Sequence, residues 1–448
     1  MVHARMSVLI ALAVLGCKRD RQSEPVSNTP KTAPAADAAA ASDAGRATSV
    51  AELTWYRAAI RAASGVESPF LLGVPPAGTP GQAVIRVGGH DVRSEATFDG
   101  KALRVSFTVH QTAIDATVGP DGTLAGTFTT SWRAWGEAKL PLTGTRVAAP
   151  VIGALATLTS AGTPGSAGSA GSAGAAALDL GEPRTVWRLA MTESETAKLV
   201  IEQTAPGEYA GLMFLDTGNL LYLAGTGRAD ALVLAGFDGT SGYRLELAFG
   251  PDRTRAKGDF YGGHRLDWHE QVTATRGPDF VLAAKPKASA PDVKIELPES
   301  PALAGLPRAP MIVELAGSWC STCRNAAPFL VELYREYKPR GLEMVTLLYE
   351  FTDDAAIDAQ QAQRFKEDYG VTWPIVPVRG GTDVFAEILP PGLEGIDPSG
   401  FPITLFVAAD RTLVAVHAGF PAADAPDEFR RVSADFREKI ERLLAAPK

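Results

Sequence analysis

Two thiols three positions apart carry the clearest chemistry in the chain: Cys320 and Cys323, in the run Ser318-Trp319-Cys320-Ser321-Thr322-Cys323. The apolar residues 311–315 read as a short strand and the residues through Tyr337 as a helix, so the pair falls at a strand-to-helix junction. There the first Cys lies at a helix N-terminus, where the dipole and free N–H groups favour a thiolate. Two intervening residues bring the second sulfur round one helical turn into bonding distance. A zinc knuckle would need two further ligands, and a purely structural disulfide closing so small a loop would stabilise little. Copper binding is disfavoured by the two-residue spacer and the lack of a nearby His. The acid Glu314 also stands out, because a carboxylate inside an apolar strand is costly unless it has partners or work. The bland alternative is a strand-end side chain reaching solvent. His264 and His269 have a spacing that fits no helical metal motif and read as polar residues on a solvated strand, so no metal and no cofactor is expected.

The elements that must position the dithiol alternate in type. After the helix come a strand at 344–349, a helix at about 354–369 closed by Gly370, a strand around 373–378 and a hairpin at 403–407 and 413–416. A last helix carries Phe429, Val432, Phe436, Ile440 and Leu443 on one face. Such alternation implies a sheet with helices on both faces. Upstream the pattern is different. Residues 102–109 alternate apolar with polar, as a half-buried antiparallel strand does, and Gly119-Pro120-Asp121-Gly122 is a turn. Val50, Leu53, Tyr56 and Ile60 have helical spacing and predict a short helix ahead of the strands. Gly119-Pro120-Asp121 with Gly126-Thr127-Phe128 recurs as Gly250-Pro251-Asp252 with Gly258-Asp259-Phe260, and Thr143-Gly-Thr-Arg146 recurs as Thr273-Ala-Thr-Arg276. The shared order points to one duplicated antiparallel meander. The fold class is therefore multidomain: two antiparallel β-rich modules, 49–150 and 181–284, separated by an Ala/Gly/Ser-rich linker over 151–180 and followed by an α/β domain over 290–448.

Composition bounds what these parts can do. The chain has 448 residues, 46% hydrophobic and 21% charged, with a net charge of −8. It can bury cores, and it lacks the broad basic face of a nucleic-acid binder. Three cysteines exclude a disulfide-stapled scaffold and a four-thiolate zinc site.

Residues 290–448 resemble the thioredoxin fold, and within it the TlpA-like disulfide oxidoreductases of bacterial envelopes. The marks are Trp319 before the first Cys, Pro328 eight residues after Cys320, Phe365-Lys-Glu-Asp-Tyr-Gly-Val371, Gly400-Phe401-Pro402-Ile403-Thr404 as a cis-proline loop, and Gly419 closing the hairpin. The resemblance implies a thioredoxin-like domain that exchanges disulfides with client proteins, most simply as a reductase fed by a membrane thiol-disulfide electron donor. It assigns Cys320 as nucleophile and Cys323 as resolving thiol. Pro402 presents backbone to the client, Trp319 shields the site, and Glu314 accepts the resolving thiol's proton. A competing class is a ligand- or protein-binding surface lipoprotein with an inactive or accessory redox domain. The intact pair, Trp319, Pro328 and Pro402 argue against such decay.

The N-terminus supplies an address. Residues 1–16 combine Arg5 with an apolar run of about ten residues, too short to cross a bilayer and of signal-peptide length. Val14-Leu15-Gly16-Cys17 resembles the lipobox of bacterial lipoproteins, which implies lipidation of Cys17. Residues 17–48 have few large apolar side chains and read as a disordered tether. Together these predict a lipid-anchored protein facing the periplasm of a bacterial envelope, with Lys18 after the Cys leaning toward the outer membrane.

Overall fold

The computed structural model describes residues 50–445 except 79–80, 108–111, 133–135, 149–175, 192–195, 216–218, 281, 283–292, 299, 304, 351–353, 379–400 and 422–425. The expected leader, Cys17, the tether and most of the linker lie outside the described residues. Barrel 1 comprises β1 (Thr54–Arg61), β2 (Glu67–Val74), β3 (Gly81–Val87), β4 (His90–Phe98), β5 (Ala102–Phe107), β6 (Thr112–Val118), β7 (Thr123–Trp132) and β8 (Gly136–Val147). The strands are antiparallel in chain order, and β8 pairs back onto β1 with Trp55 opposite Val147, so the sheet closes. Barrel 2 repeats the plan. It comprises β9 (Arg184–Met191), β10 (Thr196–Ala205), β11 (Glu208–Leu215), β12 (Leu220–Arg228), β13 (Ala231–Phe237), β14 (Gly242–Phe249), β15 (Arg255–Gly262) and β16 (Trp268–Gly277), closed by Val272 opposite Met191.

The helix expected from Val50, Leu53, Tyr56 and Ile60 is not formed. Val50–Glu52 make a single 3-10 turn and β1 follows, with Tyr56, Ala58 and Ile60 buried. The physical reason is that a spacing of four is also two strand periods, so Tyr56 and Ile60 share a face in either conformation. Ala58 between them, with Arg57 and Arg61 on the other face, completes a period of two.

On β5, Leu103, Val105 and Phe107 point inward while Ala102, Arg104 and Ser106 point out. Apolar side chains therefore fill the barrel, as in small closed barrels. The repeated turns match in detail: Asp121 Oδ1 accepts from the Thr123 N–H at 3.1 Å, and Asp252 Oδ1 accepts from the Thr254 N–H at 3.1 Å. Gly126 and Gly258 recur for a steric reason. A Cβ would lie 2.2 Å from the Asp115 carbonyl oxygen at the first and 1.7 Å from that of Glu246 at the second.

The end of β13 and the turn after it reach into barrel 1. Phe237 packs between Phe70 and Phe128, with ring centroids 4.6 and 4.9 Å away. Ser68 and Thr112 donate at 2.6 Å to the carbonyls of Gly236 and Gly239. Residues 176–180, at the end of the expected linker, lie against barrel 2: Leu178 and Leu180 are buried, and Tyr209 donates to the Leu178 carbonyl.

The C-terminal module has β17 (Met311–Ala316), α1 (Ser321–Tyr337), β18 (Glu343–Tyr349), α2 (Ala355–Tyr369), β19 (Ile375–Val378), β20 (Ile403–Val407), β21 (Leu413–Ala418) and α3 (Pro426–Ala445). Its sheet runs β19–β18–β17–β20–β21, parallel across the first three strands and antiparallel across the last two junctions. Asp354 caps α2 by accepting from the N–H groups of Ala356 and Ile357, and Gly370 ends it at φ 67°. On one side, Ile312, Met344 and Phe406 pack against Phe329 and Leu333 of α1 and Phe436 and Ile440 of α3. On the other, Val313, Leu315, Val345 and Leu347 join Ala362 of α2. Lys198 of barrel 2 is buried and ion-paired with Asp279 and with Glu428 of α3. No helix among the described residues is long and apolar enough to cross a membrane.

Candidate active site

The dithiol stands where the fully buried strand β17 turns into α1. Cys320 is the N-cap, with φ −78° and ψ 117°, and Cys323 lies one turn in. The two are joined as a disulfide, with Cα atoms 5.2 Å apart. The Cys323 N–H donates to the Cys320 sulfur at 3.1 Å, so this sulfur already takes up one of the unsatisfied N–H groups at the helix start. Cys320 is 6% exposed and Cys323 is wholly buried. What little exposure the pair has belongs to Cys320.

The remaining predicted residues surround this turn. The Phe401–Pro402 peptide is cis, and the Phe401 carbonyl oxygen lies 3.6 Å from the Cys320 sulfur. Trp319 donates from Nε1 to the Tyr349 carbonyl at 2.7 Å, and its ring meets Phe401 edge-on at 5.5 Å. A side chain at Gly317 would strike this indole, since a Cβ would lie 2.4 Å from it. Pro328 lies within α1.

Glu314 does not reach solvent; it is 1% exposed. By strand alternation it shares a face with Ile312, whose cluster contains Ala326, Ala327 and Leu330 of α1, so it sits beneath that helix. Its Oε2 accepts from Thr346 Oγ1 at 2.8 Å, and the Thr346 hydroxyl accepts from Trp373 Nε1 at 2.9 Å. Oε1 has no partner. Burial pushes this carboxyl up to about 7, opposed by the Thr346 bond.

A second buried acid was not expected. Glu350, directly after β18, accepts from the Ser318 N–H at 3.1 Å and from its hydroxyl at 2.9 Å, two residues before Cys320. Burial raises it to about 8; the Ser318 bonds oppose this and the charge of Asp358 adds to it. The signal available in the sequence was the one that marked Glu314, an acid abutting an apolar run. The folded group binds its proton more tightly than the unfolded chain does, so stability falls as pH rises from the usual carboxylate range toward 8. Glu350→Gln should therefore gain stability relative to the parent between pH 5 and 8, as read by urea midpoints. A constant difference across that range would deny the titration.

The histidines lie apart from this site. His269 on β16 bonds Asp259 at 2.8 Å. The expectation of a solvated strand fails for His264, which occupies a turn after β15 and is 9% exposed. Leu266 of the same turn packs into the core of barrel 1, which draws this turn out of solvent. Among the described residues no group of three or more His, Cys, Asp and Glu could hold a metal ion.

An apolar strand delivering a C-x-x-C pair to a helix N-terminus beside a cis-proline loop defines a thioredoxin-type redox module. Curated proteins similar to this chain are thiol-disulfide oxidoreductases. The chain is 28% identical over 116 residues to the thiol-disulfide oxidoreductase ResA of Halalkalibacterium halodurans, covering 25% of this chain and 56% of that relative. It is 33% identical over 64 residues to the ResA of Bacillus thuringiensis strain Al Hakam, covering 14% and 34%. The chain thus spans about half or less of the length of these curated relatives. Among solved structures, a thiol:disulfide interchange protein of the thioredoxin family from Chlorobium tepidum aligns with 35% of this chain and 99% of its own, at 16% identity and a TM-score of 0.26. The thioredoxin domain of a thiol-disulfide oxidoreductase from Bacteroides vulgatus aligns with 30% and 83%, at 19% identity and a TM-score of 0.22. No protein-family model matches the chain. These curated relatives support reading the C-terminal module as a thioredoxin-fold disulfide oxidoreductase.

Proposed function

We propose that this chain is an envelope thiol-disulfide oxidoreductase that reduces disulfides of extracytoplasmic client proteins. The observation carrying this reading is the Cys320–Cys323 disulfide at the start of α1, with the Cys320 sulfur on the Cys323 N–H and beside the Phe401 carbonyl. In the reduced protein, the Cys320 thiolate attacks one sulfur of a client disulfide. A Cys320–client bond forms, and the other client sulfur leaves as a thiolate that takes a proton. Cys323 then gives its proton to Glu314 and attacks the Cys320 sulfur. The Cys320–Cys323 bond forms, the client's second thiolate leaves, and two electrons have passed to the client. A membrane thiol donor returns the pair to the dithiol.

Pro402 and the Phe401 backbone would pair with an extended client chain, and Trp319 would cover the site. Lipidation of Cys17 and the 17–48 tether would hold the protein at the envelope, facing the periplasm, with the outer membrane favoured. Against the reading in which the barrels carry a ligand, the interior of barrel 1 is filled by its own aromatic side chains and by Phe237. The test is insulin reduction by the full chain with dithiothreitol as donor. Turnover above the reductant background, lost in Cys320→Ser, is expected; no turnover would reject the activity.

A further inference from the structure

The barrels border the dithiol. Ser321, between the two cysteines, lines a small crevice with Ile85 of barrel 1 and Leu220 and Asp238 of barrel 2. Beside it, a larger cleft of about 420 Å³ separates the β3–β5 face of barrel 1 from α1 and α2, and Ser318 forms part of its module wall. Two guanidinium groups face this cleft from different modules: Arg93 on β4, and Arg324, the residue directly after Cys323. Neither enters an ion pair or a side-chain hydrogen bond among the described residues. Arg364 of α2 lines the same space, with Glu95 and Asp368 as the acids on its walls. Asp238, in the turn after β13, acts on Arg324 through its field without pairing with it.

A chain of net charge −8 has thus set two unpaired arginines, among the described residues, across a gap whose walls include Ser318 and Arg324, which flank the dithiol in sequence. Guanidinium is the group best shaped to clasp a carboxylate, and it keeps its charge at any physiological pH. The cleft volume suits a few side chains rather than a folded domain.

We propose that this cleft receives an extended segment of the client polypeptide bearing Asp or Glu beside its disulfide, and that Arg93 and Arg324 hold that carboxylate. The barrels then select clients, in addition to carrying the redox module. This rests on the thiol-disulfide exchange reading and adds a client class to it.

The test uses the full-length protein, reduced and freed of reductant, mixed in stopped flow with two disulfide peptides of one sequence. In one the cysteines are flanked by Glu, in the other by Lys. Hydroxyethyl disulfide, uncharged and small, reports the chemical step, and oxidised glutathione serves as a small carboxylate-bearing disulfide. At low ionic strength the Glu peptide is expected to react about tenfold faster than the Lys peptide, with the advantage shrinking in 0.5 M salt. Arg93→Glu should bring the ratio to about one or below. Arg104→Glu, the same charge change on barrel 1 outside the cleft, should keep the wild-type ratio.

Equal rates for the two peptides in a protein that reduces hydroxyethyl disulfide would overturn the cleft assignment alone. So would a preference untouched by Arg93→Glu, or a charge preference shown only toward oxidised glutathione, which would give the cleft to a small molecule. A protein that reduces neither peptide nor hydroxyethyl disulfide would overturn the exchange reading itself.

Discussion

Cys323→Ser should accumulate mixed disulfides between Cys320 and client proteins, released by reductant, whereas Cys320→Ser should yield almost none. The reasoning begins with the helix start. Cys320 caps α1 and its sulfur accepts the Cys323 N–H, so a thiolate there is stabilised by an N–H donor and by the positive end of the dipole. Cys323 lies within the first turn and is wholly buried, which disfavours its charged form. An acidic thiol is intrinsically a weaker nucleophile, but the thiolate fraction at neutral pH and the residual exposure both favour Cys320. Without Cys323 the first exchange proceeds and the second cannot. The check is a diagonal gel, or mass spectrometry of complexes isolated from the envelope. Trapping by Cys320→Ser and not by Cys323→Ser would reverse the assigned roles.

The second large effect belongs to Glu314. Its carboxyl is pushed up to about 7 by burial, so near neutral pH it exists in both forms and can take the Cys323 proton. Glu314→Gln should slow resolution of the mixed disulfide by on the order of 10²-fold, the scale of general acid-base catalysis, and leave the first attack close to wild type. The pH profile of resolution should lose its inflection near 7. The same substitution should change stability in the opposite sense. The folded group holds its proton more tightly than the unfolded one, so the wild type loses stability as pH rises from about 4.5 to about 7, by on the order of 3 kcal/mol. The Gln variant should not show that loss and should be the more stable protein above pH 7. Separate stopped-flow measurement of the two steps decides the kinetic claim. Equal slowing of both, or of neither, removes Glu314 from proton transfer and leaves it a buried acid of the core.

The redox centre was legible because its determinants are local. A run of apolar residues, a C-x-x-C pair and the start of a 3.6-residue period lie within about thirty positions, and each constrains its neighbour. Glu314 was marked by burial cost and by its place in the thioredoxin resemblance. Glu350 follows the same rule but stands past the end of β18, where an acid ordinarily meets water. There it is buried, with Ser318 donating to its carboxyl. Barrel closure was hidden for a different reason. The pairing of Trp55 with Val147 joins residues about ninety positions apart, and strand alternation carries no information on which edges meet. The mistaken helix at Tyr56 and Ile60 shows the limit of a spacing common to both periods. The insertion of Phe237 into barrel 1, and the placing of Arg93 and Arg324 on two walls of one cleft, depend on how modules pack. No motif records that.

Whether Cys320 and Cys323 form a working redox couple is decided by a redox titration of the full chain. The protein is equilibrated in dithiothreitol and glutathione buffers, the free thiols are alkylated and the species are counted by mass. One reversible two-electron transition confined to these two cysteines is expected, with a midpoint roughly between −270 and −120 mV, the span of dithiols on this fold. A pair that stays oxidised throughout, or stays reduced throughout, would contradict it.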